Sequence, residues 1–225
     1  MGESQHIRRI ESGRTDLVCE LTSDVLKQNG TALLQWCSYY GDATACWVLL
    51  EAGRSLNELG PDLGVNAAAF HGHWQLCALL LERGASANYS DPTTGETPLH
   101  SALTNEDRMR YDLVVKVLIS AGADPNAPTI SGIPTGAFMR DAHTRGETPL
   151  HRCALFGGVD TIGLLLSAGA RREARDAYGE TPLAWASWAR RPVEILRPLL
   201  YGDHRIHPEY RPMRANLLGT PESAT

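Results

Sequence analysis

The sequence has no apolar run approaching the ~18–20 residues that a membrane-spanning helix needs, so a helical membrane protein is excluded as a reading. Its opening segment, MGESQHIRRIESGR, carries charge but no apolar stretch, and no secretory signal is expected there. Five cysteines (Cys19, Cys37, Cys46, Cys77 and Cys153) are too scattered for a disulfide framework, and no CxxC pair exists. Each lies in or beside an apolar helical pattern, where a free cysteine acts as a small hydrophobe. The expectation is a soluble cytoplasmic protein in a reducing compartment. No GxGxxG, P-loop or nucleophile elbow is present, which removes the usual phosphate-cradling and acyl-transfer chemistries. Lysine is nearly missing, two residues against nineteen arginines, a bias that points to a GC-rich genome and says nothing of chemistry.

The net charge of −5 is mild but uneven. Residues 1–139 hold 9 Lys/Arg against 16 Asp/Glu, a balance of −7, while residues 140–225 hold 12 against 10, a balance of +2. Arg171, Arg172, Arg175, Arg190 and Arg191 would have to serve any nucleic-acid reading. The acidic first half would repel a phosphate backbone, so no nucleic-acid partner is expected.

What the sequence does have is self-similarity. In GETPLHRCALFGGVDTIGLLLSAGA, starting from Thr148, glycines follow 9 and 21 residues later, at Gly157 and Gly169. The same phase recurs from Ala32 (Gly41, Gly53) and from Leu63 (Gly72, Gly84). From Thr97 the closing Gly122 comes four residues late, and from Thr181 the inter-helix glycine is replaced by Arg190. Each unit reads as two short helices. Proline at the first helical position costs no hydrogen bond, and the inter-helix glycines are expected to supply the left-handed conformation of a tight reversal. A helix pair this small cannot bury its own apolar faces, so the units must stack.

GETPLH stands intact at Gly95–His100 and Gly146–His151, with GETPLA at Gly179–Ala184, and closings of the form LLxxGA, with Ile119 for the second leucine in one, end three units. These motifs strongly resemble the ankyrin repeat over roughly residues 30–203. The resemblance implies an all-α right-handed ankyrin-repeat solenoid of about five helix pairs with finger-like turns. The expected organisation is a degenerate N-terminal capping repeat over 1–29, then repeats at 30–62, 63–94 and 95–126. An inserted loop over 127–145, repeats at 146–178 and 179–203, and a Pro/Arg-rich tail over 204–225 follow. Units one and two depart from the motif, with ALLQ and LGVN in place of TPLH.

The resemblance also gives His100 and His151 a structural duty: tying the turn between units through backbone hydrogen bonds. His71 and His73, flanking Gly72, should diverge and lack carboxylate or thiolate partners for a metal. His204, His207 and Glu209 form a better-spaced trio in the tail, read as chance. No catalytic residue, metal or cofactor is expected. Trp36, Trp47, Trp74 and Trp185 are read as packing.

The positions just before the inter-helix glycine point, in ankyrin-like proteins, into a concave groove. Here they are Tyr39-Tyr40, Phe70-His71, Thr104-Asn105, Leu155-Phe156 and Trp188-Ala189. A solvated face would carry Lys, Glu or Asn, whereas a row of aromatics resembles a binding surface. The loop 127–145 is irregular yet apolar, with Ile130, Ile133, Phe138 and Met139, and either meets a partner or covers the groove. The sequence therefore supports a monomeric, non-catalytic scaffold that binds a protein partner through Tyr39, Tyr40, Phe70, His71, Phe156 and Trp188. Tyr89, Phe138 and Tyr178 at finger tips complete the surface. The alternative is a metal- or His-dependent enzyme, or a regulatory subunit of one, using His71, His204 and His207.

Overall fold

The computed structural model describes residues 3–104, 108–136 and 142–200. After α1 (Glu3–Glu11) and a 3₁₀ helix at Thr15–Glu20, helices alternate between two layers. The inner layer is α2 (Ser23–Tyr40), α4 (Val65–Phe70), α6 (Pro98–Ala102), α8 (Pro149–Phe156) and α10 (Pro182–Trp188). The outer layer is α3 (Ala43–Glu51), α5 (Trp74–Glu82), α7 (Arg108–Ser120), α9 (Val159–Ser167) and α11 (Val193–Leu200). Packing is between neighbours within each layer and across each pair, as a solenoid requires. One continuous core follows the stack, from Ile10 and Val18 through Leu34, Leu76 and Leu118 to Leu165 and Ile195. None of the described helices is long and apolar enough to cross a membrane.

The first helix of unit one begins at Ser23, seven residues ahead of the expected start at residue 30. Gly30 lies inside this helix, and the Arg54 side chain occupies the space where its Cβ would stand, with Arg54 Cδ 2.5 Å from that point. The cap is α1 followed by the 3₁₀ helix, which bury Ile10, Leu17 and Val18 against unit one. Unit two replaces the missing threonine cap with Asp62, whose carboxylate accepts from the amides of Gly64 (3.2 Å) and Asn66 (3.0 Å).

From unit three onward the repeat motif explains itself. Thr97, Thr148 and Thr181 sit in extended backbone as N-caps, each followed by proline in the first turn. The Thr97 amide donates to His100 Nδ1 at 3.1 Å, which leaves the ring proton on Nε2. Nε2–H then donates to the Glu147 carbonyl of the next unit, 3.2 Å away. His151 repeats the arrangement with the Thr148 amide at 3.1 Å and the Glu180 carbonyl at 3.1 Å. Burial holds His100 down at about 3, helped by the Arg152 charge, and also lowers His151. Both rings are neutral ties. A second ladder runs along the fingers: Asn88 donates to the Gly122 carbonyl (2.8 Å), and Asn126 to the Gly169 carbonyl (2.9 Å).

One expectation about glycine fails. Gly41 and Gly72 do reverse the chain at φ 76° and 74°, but Gly157 has φ −69° and Gly158 φ −90°, ordinary values for any residue. Gly157 is needed for space instead: a Cβ there would stand 2.3 Å from Cys153 Sγ and 2.6 Å from its carbonyl oxygen. Arg190, in the corresponding place of unit five, takes the left-handed conformation at φ 54°.

The loop 127–145 is more regular than its composition suggested. Its described part closes as a short antiparallel hairpin of β1 (Pro134–Thr135) and β2 (Ala142–His143), with Pro134 opposite His143. Its base hangs on a buried ionic cluster that the sequence reading missed. Arg152, 0% exposed, places Nη2 at 2.6 Å from both Glu96 Oε1 and Glu147 Oε1. The hairpin completes the cluster, since Thr135 Oγ1 donates to the Glu96 carboxylate (3.1 Å) and Thr129 Oγ1 to Glu147 Oε2 (2.6 Å). Burial raises the Glu147 carboxyl, but the Arg152 charge, Thr129 and the Arg145 amide outweigh it and hold its pKa below the usual range.

Two outcomes follow for solution measurements. A buried neutral histidine disfavours protonation only in the folded state, so its contribution is present above the unfolded value near 6.5 and is lost as pH falls below it. Urea unfolding at pH 7.5 and 5.5 should show a loss of about 1.4 kcal/mol from His100 alone, and His100→Gln should flatten that dependence. Arg152→Met leaves two buried carboxylates facing each other and should cost about 3–5 kcal/mol by the same assay. Adding Glu96→Gln and Glu147→Gln should restore a large part of it.

Candidate partner-binding surface

The inner helices and the fingers meet in a corner, and the aromatic side chains there form two patches rather than one row. The first grows from the end of α2, where Trp36, Tyr39 and Tyr40 share a face through their three- and four-residue spacing. Trp36 and Tyr40 stack at 6.2 Å, and Tyr39 meets Tyr40 edge-on at 5.1 Å. Tyr39 also touches His71 (5.6 Å), which contacts Phe70 (5.2 Å). Tyr39 is the most open member, 57% exposed.

His71 and His73 do not diverge. With Gly72 at φ 74° between them, their rings stack at 5.7 Å and 25°. His73 lies beneath Gly41, where a Cβ would stand 2.3 Å from its Nδ1, and its Nε2 is 3.1 Å from the Tyr39 carbonyl oxygen. The pair thus couples unit two to unit one. Among the described residues, no group of three His, Cys, Asp or Glu side chains is placed to hold a metal ion.

Tyr40 is a strut more than a free contact. Its hydroxyl donates to the Glu11 carbonyl at 3.0 Å, and its ring lies 3.5 Å from the point a Cβ on Gly13 would occupy. It holds the cap to unit one.

The patches are separated at unit three, where Thr104 turns its hydroxyl back to the Ser101 carbonyl (2.9 Å). The second patch surrounds a cleft of about 330 Å³ between the hairpin and the last repeat. Ala142, His143, Arg145 and Glu180 line it from the fingers, and Leu155, Trp185 and Trp188 from α8 and α10. Trp188 and Tyr178 are the most exposed aromatics described, at 79% and 73%. Trp185, 5% exposed, forms the floor and donates Nε1–H to Asp176 (3.1 Å). Arg145 is the frame: its guanidinium lies 4.4 Å over the Tyr178 ring and pairs with Asp176 (3.0 Å) and Glu180 (2.7 Å).

Several expected positions fall elsewhere. Phe156 is half-buried and lines a small cavity with Leu103, Tyr111, Asp112 and Thr161, between the layers and away from the cleft; Leu155 takes the cleft position instead. Tyr89, half-buried on the finger of residues 85–96, joins neither patch. Phe138 lies outside the described residues, as do Asn105, Met139, Arg140, His204, His207 and Glu209. The tryptophan reading holds for Trp185 and fails for Trp47, which is 48% exposed, and in part for Trp36 and Trp74. Trp47 is on α3, but Cys46 and Leu49 supply that helix's buried face and leave Trp47 outward. The buried thiols are unreactive, since burial pushes Cys37 and Cys77 up to about 12 and raises Cys46 as well.

The sequence reading also passed over Arg145, Arg152, Asp176 and Tyr111, whose hydroxyl donates to the Phe70 carbonyl at 2.9 Å. A signal existed for one of them: the glutamates of the two intact GETPLH motifs repeat exactly one position before the cap, and only unit four follows its histidine with arginine.

A family model described as ankyrin repeats (3 copies) matches residues 34–129 and again 133–210, most of the chain. This chain belongs to the ankyrin-repeat family. Ankyrin repeats generally mediate protein–protein interaction, and the family is typically non-catalytic. Among relatives, the target of rapamycin complex 2 subunit AVO2 of Saccharomyces cerevisiae is 28% identical over 154 residues, 67% of this chain and 32% of that protein. Human rabankyrin-5 is 34% identical over 112 residues, 50% of this chain and 9% of that protein. The serine/threonine-protein kinase VIK of Arabidopsis thaliana is 39% identical over 85 residues, 36% of this chain and 19% of that protein. The chain spans about a third or less of the length of these relatives.

The strut role of Tyr40 is checked by mutation. Tyr40→Phe should cost about 1 kcal/mol, the size of one lost hydrogen bond, and Tyr40→Ala more. Hydrogen exchange should show the loss as faster exchange in α1 and the 3₁₀ helix, with α8 and α9 unaffected.

Proposed function

We propose that this ankyrin-repeat protein is a non-catalytic, monomeric scaffold that clamps a protein partner in the corner between its inner helices and fingers. The observation that carries the reading is the cleft beside the hairpin, with two widely exposed aromatics at its rim and the Arg145–Asp176–Glu180 ionic frame behind them. Exposed Trp and Tyr on rigid supports lose little conformational freedom on binding and dominate interface energetics. Trp188 and Tyr178 supply the anchors, with Leu155 and the Trp185 ring as apolar floor. Tyr39, Phe70 and His71 form the second contact, two to four repeats away, so the partner is an extended segment or a surface long enough to reach both.

Further support comes from what the ionisable groups already do. His100, His151, Glu147, Arg145 and Arg152 are all engaged in holding the fold, which leaves none of them free for proton transfer at a substrate. The mostly buried cysteines, none of them in a disulfide among the described residues, suit a cytoplasmic setting. AVO2 is named as a complex subunit, and a role of that kind fits a chain whose surface rather than chemistry is its working part.

Trp188→Ala tests the reading, with Trp185→Ala as the structural contrast. Trp188 is exposed enough that its loss should shift stability by less than about 0.5 kcal/mol, yet weaken capture of the native partner at least tenfold. Trp185→Ala should cost about 3–5 kcal/mol in unfolding experiments. A Trp188→Ala, Tyr39→Ala chain that retrieves the same proteins at the same affinity as wild type would sink the proposal.

A further inference from the structure

The wall that the hairpin gives to the cleft is the edge of a sheet. Pro134 pairs with His143 and Thr135 with Ala142. Just beyond them Thr144 is bonded across the hairpin: its amide donates to the Ile133 carbonyl (2.9 Å), and its carbonyl accepts from the Gly132 amide (2.6 Å). Bonded and non-bonded pairs alternate along an antiparallel ladder. His143 therefore falls at a non-bonded pair, and its N–H and C=O are directed away from β1. Its opposite number Pro134 has no N–H to present on the outer edge of β1. Of the hairpin's two edges, the one at His143 is equipped to add a strand.

That edge is already in use one step lower. The Arg145 carbonyl, two residues on and directed to the same side, accepts from the Ala177 amide of the next finger at 2.7 Å. The finger then turns off, because the amides of Tyr178 and Gly179 both bond back to Asp176 (2.9 Å each). Among the described residues, nothing takes its place beside the His143 backbone. The apolar part of the cleft lies at the same spot, since Ala142 and His143 line it together with Leu155, Trp185 and Trp188. A strand laid on this edge sends alternate side chains toward and away from that floor. A helix, whose backbone bonds are closed internally, can use the floor but not the edge.

We propose, building on the partner-binding reading of this cleft, that the partner enters as an extended strand that adds to β2 at His143. Its main chain exchanges hydrogen bonds with the His143 amide and carbonyl and continues the ladder that Ala177 begins. One apolar side chain of the strand seats on Leu155 and Trp185, with the Trp188 ring beside it. The main-chain bonds supply affinity for any extended segment, and the floor selects the apolar residue.

The test uses the full chain and a peptide selected for the cleft. A displayed library of random twelve-residue peptides is selected on wild type and counter-selected on Trp188→Ala, and the tightest survivor is synthesised as the probe. A set of its variants carries a single N-methyl group on each backbone nitrogen in turn. Methylation should weaken binding at alternate central residues by about fivefold, the scale of one hydrogen bond, and leave the residues between them nearly unchanged. The His143 amide, followed by NMR, should exchange about tenfold more slowly in the saturated complex than in the free chain. His143→Pro removes that amide at an edge position where proline is tolerated, and should weaken the peptide while the thermal midpoint stays in place. A methyl pattern of helical period, or none at all, overturns the strand and leaves the cleft as a partner site. A library without a survivor overturns it too, and the native-partner assay of Trp188→Ala then decides the broader reading alone. A His143 amide already protected in the free chain assigns the edge to another segment of this chain or, where protection grows with protein concentration, to a second copy; both overturn the proposal.

Discussion

The Arg152 guanidinium, fully buried between two carboxylates, is the constraint on which the middle of this molecule depends. Glu96 belongs to one repeat and Glu147 to the next, so a single side chain joins the two units ionically where the histidine ladder joins them through backbone. A buried ion is tolerated only when its remaining valences are met. Here the hairpin threonines and the Arg145 amide meet them. The inserted loop is therefore part of the core's electrostatics before it is part of any surface.

The cleft follows from that anchoring. Because Thr129 and Thr135 hold the hairpin down, Ala142 and His143 come to stand opposite Trp185 and Trp188 and close one wall. Arg145 leaves the hairpin at that point and spends its charge on Asp176 and Glu180 and its flat face on Tyr178. Arg145 and Asp176 beneath the cleft are thus committed to one another, and the widest exposure around it belongs to the aromatic rings of Trp188 and Tyr178.

The repeat phase was legible because it depends on local chemistry. Thr, Pro, His and Gly each act within four residues or reach one fixed distance into the next unit, and that leaves a periodic trace. Side-chain direction was less legible: Trp47 and Phe156 were placed by their position in the repeat, but which face they join depends on neighbours such as Cys46 and Tyr111. The ionic cluster was the least legible, since its members are up to 56 residues apart and only the fold brings them together. Gly157 shows a subtler limit, because a glycine kept for its small size and one kept for its backbone freedom look alike in a sequence.

The hairpin's attachment has a mechanical meaning. Its two threonine bonds land on carboxylates of different repeats, so displacement of the finger strains both at once, and both converge on Arg152. The finger is in effect a handle fixed across the seam between repeats three and four. Force applied at its end is delivered to that seam, about midway between the two aromatic patches, and would open or twist the array at that point in preference to any other.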